Sequence, residues 1–136
     1  MTLGNSKDAT MSMDILDLKT KKAILDVNVW TAPSLFWAFR QSGLFSPDRI
    51  ESFGACISMA EITQTEARAL GKFVREHVLP AIPDGGRMFP DGDCTAEPDD
   101  NIMHTGADRK KNFGVDRAFF EKLAEICEQS GGMILR

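Results

Sequence analysis

The sequence predicts a two-layer α+β domain, with a small mixed β-sheet packed against about three helices. Three observations predict it. Two stretches near the N-terminus carry strand patterning with only a polar break between them, which favours a pair of adjacent strands. Two later stretches carry helical periodicity with start signals, and the second is followed by Gly131-Gly132 and a short apolar run. Composition fits one soluble globular unit: 136 residues, 43% hydrophobic and 26% charged. No apolar run approaches the ~20 residues that span a bilayer.

Taken in order, residues 1–10 read as a polar, flexible leader without a hydrophobic signal region, and Met11 or Met13 is a candidate start. Residues 11–136 then form a single domain. Strands are expected at Met13–Leu18 and Ala23–Trp30; in the second, Leu25, Val27 and Val29 alternate with Asp26 and Asn28. Pro33 suits a helix start, Leu35, Phe36 and Phe39 share one face, and Ser42-Gly43 supplies a stop. Ser46-Pro47-Asp48 reads as a loop and residues 55–59 as a weak strand. Thr63-Gln-Thr-Glu66 is a capping box, because hydroxyl and carboxylate each satisfy an orphan amide. The helix it opens runs to about Leu79, burying Ala67, Leu70, Phe73, Val74 and Val78 and lining Arg68, Lys72 and Arg75 along the opposite side. From Pro80 to Asn112 no period survives, which predicts a long irregular loop. A last helix, capped by Asp116, buries Phe119, Phe120, Leu123, Ala124, Ile126 and Cys127. Met133–Leu135 closes the fold as a strand, and a place at the sheet edge would leave room for a homodimer.

Three segments carry a resemblance: Met11-Ser-Met-Asp14-Ile; Asn28-Val-Trp30 with Pro33, Leu35 and Trp37 behind it; and Phe113-Gly-Val-Asp116 leading through Phe120 to Ser130-Gly-Gly-Met-Ile134. Together they resemble a loose group of uncharacterised small proteins from bacteria and phages, with an M-x-M-D start, an N-V-W segment and an F-x-V…F…G-G-x-I ending. The match covers about half the chain. The aromatic cluster usual after N-V-W is reduced to Thr31-Ala32, and Met133 stands where Phe is usual. Some members carry paired cysteines centrally, where this chain has Cys94 alone, so no zinc ribbon carries over. The resemblance implies a fold and no activity.

The residues themselves point to binding rather than catalysis. A net charge of −4 argues against bulk nucleic-acid binding. Cys56, Cys94 and Cys127 are scattered and odd in number, which fits reduced thiols in a cytoplasmic protein. The acidic segment Asp91-Gly-Asp93-Cys-Thr-Ala-Glu97-Pro-Asp99-Asp100 offers hard oxygen ligands, but an EF-hand fails because Ala96 and Ile102 replace the glycine and bidentate glutamate. His77 reads as a residue at the core edge. A Cys94/His104 nucleophile pair, assisted by the same carboxylates or a metal, is the enzyme alternative. No P-loop, G-x-G-x-x-G, G-x-S-x-G or H-E-x-x-H motif is present, and no cofactor or metal is expected. Trp30 and Trp37 read as core anchors, or as hot spots if exposed. The reading is a small macromolecule-binding protein, of inhibitor or immunity type, that engages a protein partner through Asp91, Asp93, Glu97, Asp99 and Asp100 beside the basic Arg68, Lys72 and Arg75. A nucleic-acid accessory role using those three cations is the weaker alternative. The chemistry supports neither a membrane role nor a catalytic residue.

Overall fold

The computed structural model describes residues 12–55 and 60–136. The elements run β1 (Ser12–Asp17), β2 (Ala23–Asn28), α1 (Ala32–Ser42), α2 (Pro47–Ala55), β3 (Ala60–Thr63), α3 (Gln64–Phe73), β4 (Arg87–Met88), β5 (Cys94–Thr95), β6 (Val115–Asp116), α4 (Arg117–Gln129) and β7 (Gly132–Leu135). A 3₁₀ segment, Gly106–Phe113, precedes β6. This is an α+β fold. The expected leader, the Met11 start and Cys56 lie outside the described residues.

The main sheet has the order β2-β1-β7-β3 and is antiparallel at every pairing, not mixed. Its first hairpin turns at Asp17, whose carboxylate accepts hydrogen bonds from the backbone N–H groups of Lys19 and Thr20. Met13, Ile15, Val27, Ile62, Met133 and Leu135 point from the sheet into one core shared with Leu35, Phe39, Leu70, Phe120 and Leu123 of the helices. β7 lies between β1 and β3, so the closing strand is interior. The edge that was expected to be open to a second copy is therefore covered on both sides, and the edges are β2 and β3.

Several boundaries differ from expectation for local reasons. β2 stops at Asn28 rather than Trp30, because the Asn28 Oδ1 accepts from the N–H groups of both Trp30 and Thr31, each at 2.9 Å. That turn leaves Val29 45% exposed. Pro33 lies in the first turn of α1, and Gly43 ends the helix at φ 70°, a left-handed conformation that suits glycine. Ser46-Pro47 does not form a plain loop but starts α2: Ser46 Oγ accepts from Arg49 N at 3.2 Å, with Pro47 at the first helical position. Phe53 of α2 then meets Phe39 and Phe45 edge-to-face at 5.6 and 5.3 Å. Of the strand expected at 55–59, Ala55 ends α2 and the rest lies outside the described residues; the observed strand is β3.

The capping box forms as expected, with Glu66 N donating to Thr63 Oγ1 at 3.2 Å and Thr63 N donating to Glu66 Oε1 at 3.0 Å. Beyond Phe73 the helical path widens into a π turn at Val74–Val78 and tightens into a 3₁₀ turn at Leu79–Ala81, keeping Val74 and Val78 buried. α3 crosses α4 closely at Gly71, where a Cβ would stand 2.9 Å from Cys127 Cβ. Asp116 holds the N-cap position of α4, but its carboxylate makes no capping hydrogen bond. Among the described residues, no helix is long and apolar enough to cross a membrane.

The expected loop over 80–112 is ordered differently from the rest. It holds β4 and β5, which join β6 in a second antiparallel sheet of order β5-β4-β6, and most of the 3₁₀ segment. These two-residue strands place only Met88 and Val115 in the core, and polar side chains add to their anchoring. Buried Ser34 of α1 donates through one hydroxyl toward the carbonyls of Phe113 (2.8 Å) and Met88 (3.2 Å), tying this sheet to the helical layer.

Candidate functional site

The acidic segment is largely engaged within the chain. Asp91 and Asp93 converge on one ammonium, with Lys110 Nζ 3.1 Å from the former and 2.8 Å from the latter. Asp93 N also donates to Asp91 Oδ1, and this bond, with Lys110, holds the Asp91 carboxyl below its usual range despite partial burial. The two carboxylates in turn raise the Lys110 ammonium, which lies 5.5 Å from the centroid of the Phe89 ring. Asp100 pairs with His104 Nε2 at 3.0 Å. Asp99 stands 3.9 Å from Arg87, and Glu97 accepts from Arg87 Nε through its backbone carbonyl at 3.0 Å while its side chain is exposed.

Arg87 organises this region, and nothing in the sequence pattern marks it. It is only 5% exposed, donates to the carbonyls of Glu97 and Lys111, and lies over the Phe89 ring. Gly114 makes room for it, since a Cβ there would lie 2.7 Å from Arg87 Nη1. A buried guanidinium is costly unless its donors are met, and here it joins chain segments 10 and 24 residues away.

The basic stripe is a separate feature. Arg75 forms a two-bond pair with Glu128 of α4, at 2.5 and 2.8 Å. Arg68 and Lys72 are exposed and make no ion pair with a described residue. None of the three pairs with the acidic segment.

Of the enzyme alternative's residues, His104 meets Asp100, but no hydrogen bond joins Cys94 to His104. Cys94 Sγ donates weakly to Gly92 O at 3.6 Å, and His104 is held by Asp100. Burial, followed by the neighbouring charges of Asp93 and Asp91, pushes the Cys94 thiol up, which disfavours the nucleophilic thiolate. Cys127 is raised to about 12 by burial on the α4 core face. Among the described residues, no three His, Cys, Asp or Glu side chains gather as metal ligands. His77 is exposed, with its ring 5.2 Å from that of Phe73, rather than set in the core edge.

No family model, curated protein or solved structure matches the chain. The geometry alone therefore locates a site.

Three adjoining cavities run around the start of α4. The first, about 430 Å³, is lined by Asp84, Gly86, Asp99, Asp116, Arg117 and Glu121. The second, about 310 Å³, shares Asp99 and Asp116 with it and adds Asn28, Trp30, Asn101 and Asn112. The third, about 360 Å³, shares Trp30 and Asn112 with the second and adds Met103, His104, Arg109 and Phe113. Sequence reasoning named Asp99, His104 and, in the basic run 109–111, Arg109, but missed Asp84, Asp116 and Glu121 as neighbours around this groove. A capping role was assigned to Asp116; its carboxylate instead lines two cavities. Trp30 is half-buried at the junction of the second and third cavities, stacked at a tilt on Phe113 with ring centroids 5.3 Å apart.

Proposed function

We propose that this chain is a protein-binding module that acts by stoichiometric contact, seating a basic partner on the acidic groove at the start of α4. One observation carries this reading. Asp84, Asp99, Asp116 and Glu121 line the first two cavities, where Arg117 is the only lining cation among the described residues, and Arg117 is itself engaged by Glu121 at 2.9 Å, by Asp84 at 3.9 Å and by the Ile82 carbonyl at 3.1 Å. The uncapped Asp116 makes no ion pair with a described residue. Such a surface steers a cationic partner and selects it by charge. The docking role moves accordingly from Asp91 and Asp93, which already hold Lys110, to this groove.

Titrating ¹⁵N-labelled protein with hexa-arginine amide at two salt concentrations tests the reading. The expected result is amide shifts at residues 84–86 and 116–121 that weaken with salt, with affinity about tenfold lower in an Asp84→Asn/Asp116→Asn variant. Equal binding by that variant, or loss only in Asp91→Asn/Asp93→Asn, would return the docking role to the Lys110 carboxylates or remove it.

A further inference from the structure

The third cavity differs from its neighbours in charge and in build. Its volume of about 360 Å³ falls within the roughly 300–1,000 Å³ range of small-ligand pockets. Trp30, Met103 and Phe113 supply apolar walls, and His104, Thr105, Arg109 and Asn112 supply polar groups. One wall is tied by a buried amide. Asn112 is 3% exposed and clasps the His104 backbone from both ends of its amide, accepting from His104 N at 2.7 Å and donating to His104 O at 2.9 Å.

Two groups here remain chemically unanswered. In the run Arg109-Lys110-Lys111, Lys110 is held by Asp91 and Asp93, and Lys111 stands 3.5 Å from Asp108. Arg109 lines the cavity and makes no ion pair with a described residue. Independently, the Trp30 indole N–H is buried without an acceptor among the described residues. Leaving such a donor unmet is unfavourable, and the residue that carries it forms part of this cavity wall. A guanidinium requires oxygen acceptors. The planar guanidinium fork fits a carboxylate in particular, and the aromatic walls suit a flat apolar body behind it.

We propose that the cavity bounded by Trp30, His104, Arg109, Asn112 and Phe113 binds a carboxylate carried on a flat apolar body, with the carboxylate on Arg109 and the body against Trp30 and Phe113. The same chemistry arises from a free aromatic acid or from a peptide that ends in an aromatic residue. This pocket adjoins the acidic groove and shares Trp30 and Asn112 with its second cavity, but Arg109 lines the pocket and not the groove, so the Arg109 variant separates its outcome from that of the basic partner.

The full chain, ¹⁵N-labelled, is titrated with sodium benzoate and benzamide, with N-acetyl-Gly-Phe as acid and as amide, and with inorganic phosphate. The indole N–H of Trp30 is the reporter and that of Trp37 the internal control. Saturable downfield movement of the Trp30 signal is expected with at least one of the acids, with its neutral amide at least tenfold weaker and Trp37 unmoved. Tighter binding of benzoate assigns the site to a free acid, and tighter binding of N-acetyl-Gly-Phe assigns it to a peptide terminus. Arg109→Gln, a change at an exposed residue, lowers the affinity at least tenfold with the remaining spectrum retained; Trp30→Phe, which keeps a ring but removes the donor, weakens it less. The proposal is overturned if neither acid moves the Trp30 signal, if the neutral amides bind equally well, if Arg109→Gln binds as the parent does, or if phosphate outcompetes both acids.

Discussion

The main sheet with its helices and the segment from Arg87 to Asp116 are held by opposite means. In the first, the buried side chains are almost all apolar: Ile15, Phe39, Leu70, Phe120, Leu123 and Met133 fill one core. In the second, single polar groups define the path, through Arg87 to the carbonyls of Glu97 and Lys111, Asn112 to His104, and Ser34 to Phe113. Apolar burial is non-directional and spread over many contacts, so it tolerates small shifts. A buried hydrogen bond is directional, and removing one partner leaves the other unmet. The Trp30 pocket is built largely from the second region, and the groove forms where that region meets Asp84, Gly86 and the start of α4, so the geometry of both depends on a few atoms.

The largest expected effect tests the apolar half. Phe120→Ala should cost about 3–5 kcal/mol, the usual range for a large aromatic core truncation, read as a shift in denaturant midpoint. Next, Arg87→Met should cost about 1.5–3 kcal/mol, in line with hydrogen bonds that involve a charged group. Its signature distinguishes the regions: hydrogen exchange should accelerate across residues 86–116 while β1 and β7 amides stay protected. Uniform acceleration would mean that the two regions unfold as one and would break the comparison.

A smaller effect concerns a polar link inside the apolar half. Arg49 of α2 grips the Glu66 carboxylate with two bonds and lies over the rings of Phe45 and Phe53. The Arg49 hydrogen bonds hold the Glu66 carboxyl down to about 2 from an ordinary 4.5. A depressed folded value means that the contribution is present above pH 4.5 and is lost as pH falls from there toward 2. For this partly exposed pair it amounts to about 1–2 kcal/mol. Glu66→Gln should remove that loss, flattening the stability profile over the same interval as followed by chemical denaturation. The smallest effect is at Lys110, whose pairs with Asp91 and Asp93 are exposed. Lys110→Met should change stability by about 1 kcal/mol or less, most visibly at low salt.

Legibility from sequence follows the same division. The stripe Ala67, Leu70, Val74 and Val78 and the Thr63–Glu66 box were readable because helical spacing and capping are local in the chain. Ser46-Pro47 was ambiguous, since the same residues open either a turn or a helix and only the burial of Ile50 and Phe53 decides between them. β4, β5 and β6 have two residues each, too few to show a period. The acidic residues were visible individually, but that Lys110 would fold back onto Asp91 and Asp93 depends on the intervening path. Asp116 looked like a cap because its position is one; that its carboxylate makes no capping hydrogen bond emerges only in three dimensions. The interior place of β7 was hidden for a similar reason, because Met133–Leu135 reads the same at an edge or a centre.

That place of β7 bears on how the chain is made. β3 finds its strand neighbour only in Gly132–Leu135, and β1 needs the same residues to cover its second side. During synthesis the β1–β2 hairpin can close early, whereas β3 waits for a strand that emerges well after it, beyond the whole of α3 and α4. A nascent chain arrested before residue 132 thus displays Ile15 and Ile62 without the Met133 and Leu135 that complete their layer, and it remains open to proteases and chaperones until residues 132–135 clear the ribosome.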